Sequence, residues 1–198
     1  MAAQKKKSPA GSIVFLLLVA AVVVGIYLSV TRKSDEPKEI PVSETEAEVL
    51  IAKNLDRDYP ATAREVLKLY CRITKCMYND ELTDEQVGKL LGQLRKLYSD
   101  ELLEANTEEM QLALLLGDIS TYHENGMSIY NYTVDSAART ETLTTAAGKT
   151  SLINMYFTIR TGEKMDRAYE EFSICQNAEG RWKIMAWRGT DQTNISDD

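Results

Sequence analysis

Ser151–Trp187 reads SLINMYFTIRTGEKMDRAYEEFSICQNAEGRWKIMAW, and this stretch decides the fold. Ile153, Met155, Phe157 and Ile159 alternate along its first run, the period-two signature of a half-buried strand. Gly162-Glu163 places Gly first in a two-residue connection, as a type II′ hairpin requires. Asn177-Ala178-Glu179-Gly180 has Asn first and Gly last, the pattern of a type I turn followed by a bulge at Gly180. Each turn fixes a register. The first pairs Met155 with Glu170, Phe157 with Ala168, Ile153 with Phe172 and Tyr156 with Tyr169. The second pairs Ile174 with Ile184, Phe172 with Ala186, Glu170 with Arg188 and Glu171 with Trp187. Both registers put Ile153, Met155, Phe157, Phe172, Ile174 and Ile184 on one face, so turn chemistry and hydrophobic pattern agree on an antiparallel meander.

Upstream of the meander, Met127–Val134 and 139–145 are rich in Thr, Tyr and other β-favouring residues. Before them the texture is helical. Ser43-Glu44-Thr45-Glu46, Thr62-Ala63-Arg64-Glu65 and Thr83-Asp84-Glu85-Gln86 read as capping boxes. Val66, Tyr70, Ile73 and Met77 mark the buried face of the second helix. Val87, Leu90, Leu91, Leu94 and Leu97 mark that of the third. Ser99 caps a short turn through Leu103, and Thr107 starts a last helix containing Met110, Leu114 and Ile119, with Gly126 as its stop. The expected class is α+β, helices packed on a curved antiparallel sheet over residues 43–189.

Helices followed by a curved sheet closing on Gly180-x-Trp182-x-Ile184 resemble the nuclear-transport-factor-2-like (SnoaL-like, cystatin-like) α+β cone superfamily. The chain also resembles membrane-anchored versions of that fold from Gram-positive bacteria. The resemblance implies a pocket between helices and sheet, and a tendency to dimerise through the outer sheet face. The superfamily hosts enzymes and non-enzymes alike, so it does not choose between them.

At the other end of the chain, residues 13–30 (IVFLLLVAAVVVGIYLSV) contain no charge. As a helix they span roughly 27 Å, close to a bilayer core. Residues 1–12 form a basic head with Lys5, Lys6 and Lys7, and 31–42 form a charged, proline-containing linker. The run is longer than a signal-peptide core and no A-x-A site follows it, so an uncleaved signal anchor is expected. The layout places the domain on the extracytoplasmic side of the cell membrane, with the lipid bilayer as the partner of the helix. Ala21 and Gly25 are spaced to let two such helices approach, although two small residues in an apolar helix need no such explanation. Residues 190–198 form a polar tail.

The chain carries a net charge of −7; residues 1–33 hold five basic and no acidic residues, leaving 18 basic against 30 acidic, a net −12, in the rest. Such a domain repels nucleic acid. Cys71 and Cys76 lie five apart on one helix, too far to bridge, and read as free buried thiols; a bridge from Cys175 is the alternative. His123, the single histidine, stands at a helix end, where it complements the dipole. One histidine excludes multi-histidine metal sites. Asp56-x-Asp58 lacks the Gly and closing Glu of a calcium loop, and no glycine-rich phosphate loop occurs, so no cofactor is expected. Asn131-Tyr132-Thr133 and Asn194-Ile195-Ser196 match the glycosylation pattern, which matters only in a eukaryotic secretory setting.

Two candidate sites remain. Glu170 and Arg188, paired on the core side of the sheet, form either a structural ion pair or the polar floor of a ligand pocket. Tyr156, Tyr169, Met185 and Trp187 share the outer face, either as scattered exposed groups or as an interface for a second copy or a protein partner. The expected function is a membrane-anchored interaction or ligand-holding domain without catalysis. The alternative is an enzyme using a carboxylate/tyrosine pocket with Glu170 as general base.

Overall fold

A computed structural model describes residues 44–136, 141–145 and 148–191. The expected head, transmembrane helix and linker, and Ser43 with them, lie outside the described residues, as does the tail beyond Asp191. Among the described residues no helix is long and apolar enough to cross a membrane.

Among the described residues five helices precede five strands: α1 (Glu46–Ala52), α2 (Ala63–Asn79), α3 (Asp84–Arg95), α4 (Asp100–Ala105), α5 (Glu108–Glu124), β1 (Met127–Val134), β2 (Glu141–Thr145), β3 (Gly148–Thr161), β4 (Lys164–Gln176) and β5 (Trp182–Gly189). The α+β class is as expected. Thr62 with Glu65 and Thr83 with Gln86 form complete capping boxes. The first box is two residues later than expected: Thr45 caps α1, and Glu48 reaches back to it. Ser99 and Thr107 accept from Leu102 and Met110 and so start α4 and α5.

The sheet runs β1-β3-β4-β5, all antiparallel, with β2 also on β3. Long β3 makes this possible. Its second half pairs with β1 and its first half with β2, while β4 takes the whole of its other edge. The β3–β4 register is the expected one, including Met155 with Glu170 and Tyr156 with Tyr169. Gly162 at φ 62°, with no non-glycine at positive φ among the described residues, fits the type II′ turn. Gly180 at φ 77° and its N–H on the Asn177 carbonyl fit the type I turn with bulge.

Beyond that turn the register departs from expectation. Ile174 pairs with Ile184 as expected, but Ser173 then pairs with Ala186, leaving Met185 as an extra residue. A second bulge therefore sits in β5. Ile184 is held from both sides: its N–H donates to the Leu97 carbonyl and its carbonyl accepts from the Ser99 N–H. The α3–α4 connection thus acts as a short parallel partner on the β5 edge. Past this clamp every β5 side chain changes face relative to the unbulged register, because side chains alternate with period two.

The core lies between α1, α2, α3 and the inner sheet face. Val66, Leu67, Cys71, Ile73 and Met77 of α2, Leu90 and Leu97, and Ile153, Met155, Phe172, Ile174 and Ile184 of the sheet are fully buried or nearly so. Helix α5 differs from its expected pattern. Ile119 is buried, but Met110 and Leu114 are exposed. The segment is apolar on all sides, so its composition names no inner face; Leu112, Leu115, Leu116 and Tyr122 are the side chains that pack on the core.

Candidate functional site

Glu170 faces the helices from the middle of β4, opposite Met155 and, across β5, opposite Gly189 rather than Arg188. The expected Glu170–Arg188 pair does not form. The Met185 bulge turns Arg188 to the outer face, where it pairs with Glu171 at 2.7 Å. Trp187 makes the opposite move. It leaves the expected outer patch, lies opposite Phe172 and stacks on that ring with centroids 5.8 Å apart and planes at 15°. Tyr70 at 6.1 Å and Tyr98 at 6.0 Å complete the cluster. The exchange sets Trp187 against aromatic rings and spares the Arg188 guanidinium desolvation.

The exchange leaves Glu170 without a cation. Its Oε2 is buried and has no hydrogen-bond partner. Burial pushes its carboxyl up to about 7. Its negative charge reaches the tyrosines overhead. Tyr70 is raised well above its usual value by burial first, then by Tyr98 and Glu170. Tyr122 is raised by burial, then by Asp118 and Glu170. Burial, with Glu170 second, also raises the Cys71 thiol and keeps it inert. A carboxyl under tyrosine hydroxyls, titrating near neutrality, can accept a hydrogen bond from a ligand or take up a proton.

On the outer sheet face, Tyr156 and Tyr169 meet as expected, with ring centroids 5.3 Å apart. Arg167 lies over Tyr156 at 4.6 Å, and Tyr156 is buried. Met185 is exposed at the bulge, and Trp187 belongs to the other face. The surface that does stand open is Tyr130 and Met165, which with Tyr156 and Arg167 line a hollow of about 420 Å³.

His123 caps no catalytic arrangement: its Nε2 lies 3.0 Å from the Tyr78 carbonyl and ties the end of α5 to α2. The three cysteines are free thiols, Cys71 and Cys76 buried. Cys76 donates to Asp80 at 3.2 Å, and burial followed by that contact raises its thiol to about 12. Among the described residues no three His, Cys, Asp or Glu side chains converge as metal ligands would.

A larger concavity was not anticipated. A groove of about 800 Å³ runs between α2 and β1, lined by Arg64, Lys68, Arg72 and Lys75 on the helix and by Asn131, Tyr132 and Thr133 on the strand. The signal was present in the sequence, since basic residues at steps of 4, 4 and 3 fall on one helical face. It was hidden by the domain's overall acidity.

The chain belongs to the family described as Domain of unknown function (DUF6715), which matches residues 1–187 and so includes the apolar run as well as the domain. No curated protein matches it.

Proposed function

We propose that this protein is a single-pass membrane protein whose Ile13–Val30 helix anchors an extracytoplasmic, nuclear-transport-factor-2-like domain that holds a ligand without transforming it. The length and chemistry of the apolar run support the anchor. The family match supports treating run and domain as one unit, because it spans both. The helices-then-meander order supports the cone-type assignment.

The observation that carries ligand holding is Glu170. A buried carboxyl oxygen with no partner costs stability that the domain recovers only when something donates to it. A ligand bearing an amine, amide or hydroxyl between the sheet and the tyrosines of α2 and α5 meets that need. A second copy or protein partner would meet the outer sheet face, where Tyr130 and Met165 lie beside the Tyr156–Tyr169 pair.

The second reading makes Glu170 a general base, and its titration near neutrality is what favours it. One screen separates the two. The full chain and Glu170→Gln are compared by thermal shift against small amines, amides and alcohols. Ligand holding predicts a compound that stabilises the native chain, loses that effect in Glu170→Gln, and is recovered unchanged. Glu170-dependent consumption of the compound would establish the enzyme instead. A panel that treats the two proteins alike would remove Glu170 from the site.

A further inference from the structure

The groove between α2 and β1 gathers four basic side chains on an otherwise acidic domain. Arg64, Lys68, Arg72 and Lys75 span about 16 Å of helix at 1.5 Å per residue, all on one face. Against these four cations stand two acids, Glu46 and Asp80. We propose that this groove binds a compact phosphate-bearing anion carrying two or more negative charges.

What the cations touch supports this. Arg64 donates through Nε to the Asp135 carbonyl at 2.7 Å and through Nη2 to the Val134 carbonyl at 3.2 Å. Lys75 donates to the Tyr130 carbonyl at 2.7 Å. Carbonyls are neutral, so these bonds fix the two side chains in place and leave their charges uncancelled. Lys68 is exposed at the centre of the row, with no ion pair among the described residues. It also lines two adjoining hollows, of about 470 and 460 Å³. Only Arg72 is neutralised, by Glu46, through a two-pronged contact whose Nη2–Oε2 arm is 2.9 Å. Of the two acids, Glu46 is thus occupied, while Asp80 accepts from the neutral Cys76 thiol and keeps its charge, so the four cations outweigh the two acids by two. The groove therefore holds cations fixed before any ligand arrives, which lowers the ordering cost of binding.

Compactness follows from the surroundings. A long polyanion would continue past the groove onto a domain that is strongly acidic elsewhere, and would be repelled there. A short anion stays within the basic walls. Phosphate suits them because its oxygens accept from guanidinium and ammonium donors alike. The same group could come from solution or from the headgroup of a membrane lipid.

The test is calorimetric titration of the full chain, in non-ionic detergent micelles, with sodium tripolyphosphate. Binding that weakens as salt rises is expected. Lys68→Glu should weaken it by about tenfold or more, because the substitution reverses the central charge. Lys68→Gln should weaken it less, and Lys89→Glu, on α3 outside the groove, should leave it unchanged. Repeating the titration in micelles doped with phosphatidylglycerol separates the sources. Competition from the lipid assigns the site to a headgroup, and equal affinity assigns it to a soluble phosphate. No binding by the native chain, or binding that Lys68→Glu leaves intact, would overturn the proposal. Unchanged thermal unfolding of the variants guards against a trivial loss of fold.

Discussion

Trp187 and Arg188 exchange the faces that a regular strand would give them, and the exchange defines the site. Trp187 stacks on Phe172 and sits between Tyr70 and Tyr98, while 37% of its surface stays open at the rim. Arg188 reaches Glu171 on the outer face, where its own side chain is largely in water. The consequences for mutation are opposite. Trp187→Ala should cost about 2 kcal/mol, below the full value of a buried tryptophan because part of the ring is already solvated. Arg188→Ala should cost about 1 kcal/mol, because Arg188 itself is solvated although its partner Glu171 is largely buried. Urea unfolding of both variants measures the contrast. Had Glu170 and Arg188 been paired in the core, the Arg188 variant would be the damaging one, stranding a buried charge.

Among the elements, the β3–β4 hairpin was legible to the residue. A two-residue turn with Gly162 first leaves one register open, and the alternation of Ile153, Met155 and Phe157 against Phe172 and Ala168 agrees with it. Gly180 likewise announced its bulge, because only a glycine takes its φ of 77° without strain. The Met185 bulge had no such local mark. Nothing in Lys183-Ile184-Met185-Ala186 calls for an extra residue. The cause lies elsewhere in the chain, in the Leu97 and Ser99 backbone that clamps Ile184, and in the aromatic cluster that draws Trp187 inward. A register extrapolated from a turn therefore held as far as the clamp and failed beyond it. With it failed the Glu170–Arg188 pair and the Trp187 part of the outer patch, while Glu170 kept its face. Helix α5 was illegible for another reason: apolar residues on every side give no moment to read. The α2 groove was legible in principle, from the spacing of Arg64, Lys68, Arg72 and Lys75, but a net charge averaged over the domain concealed it.

For the whole molecule, an apolar run joined by a short linker to an acidic domain makes a definite topological prediction. Protease added to intact cells should remove the domain and leave a membrane-bound fragment containing residues 13–30; a domain that survives until the cells are opened would place it on the cytoplasmic side. The central claim is that the domain keeps a carboxyl unpaired and largely desolvated at Glu170, and it has a whole-molecule signature. A carboxyl raised from 4.5 to about 7 in the folded state holds its proton more tightly there than in the unfolded chain. Its contribution to stability is thus complete below about pH 4.5 and is lost as the pH rises through about 7. Glu170→Gln, which cannot ionise, lacks this loss. The decisive measurement is the unfolding free energy of the full chain and of Glu170→Gln across that range, in detergent micelles, followed by the fluorescence of Trp182 and Trp187. The account predicts that, relative to the variant, the native chain loses about 2–3 kcal/mol between pH 4.5 and pH 8. Two parallel curves would show that Glu170 titrates as a solvated or paired carboxylate, and would contradict it.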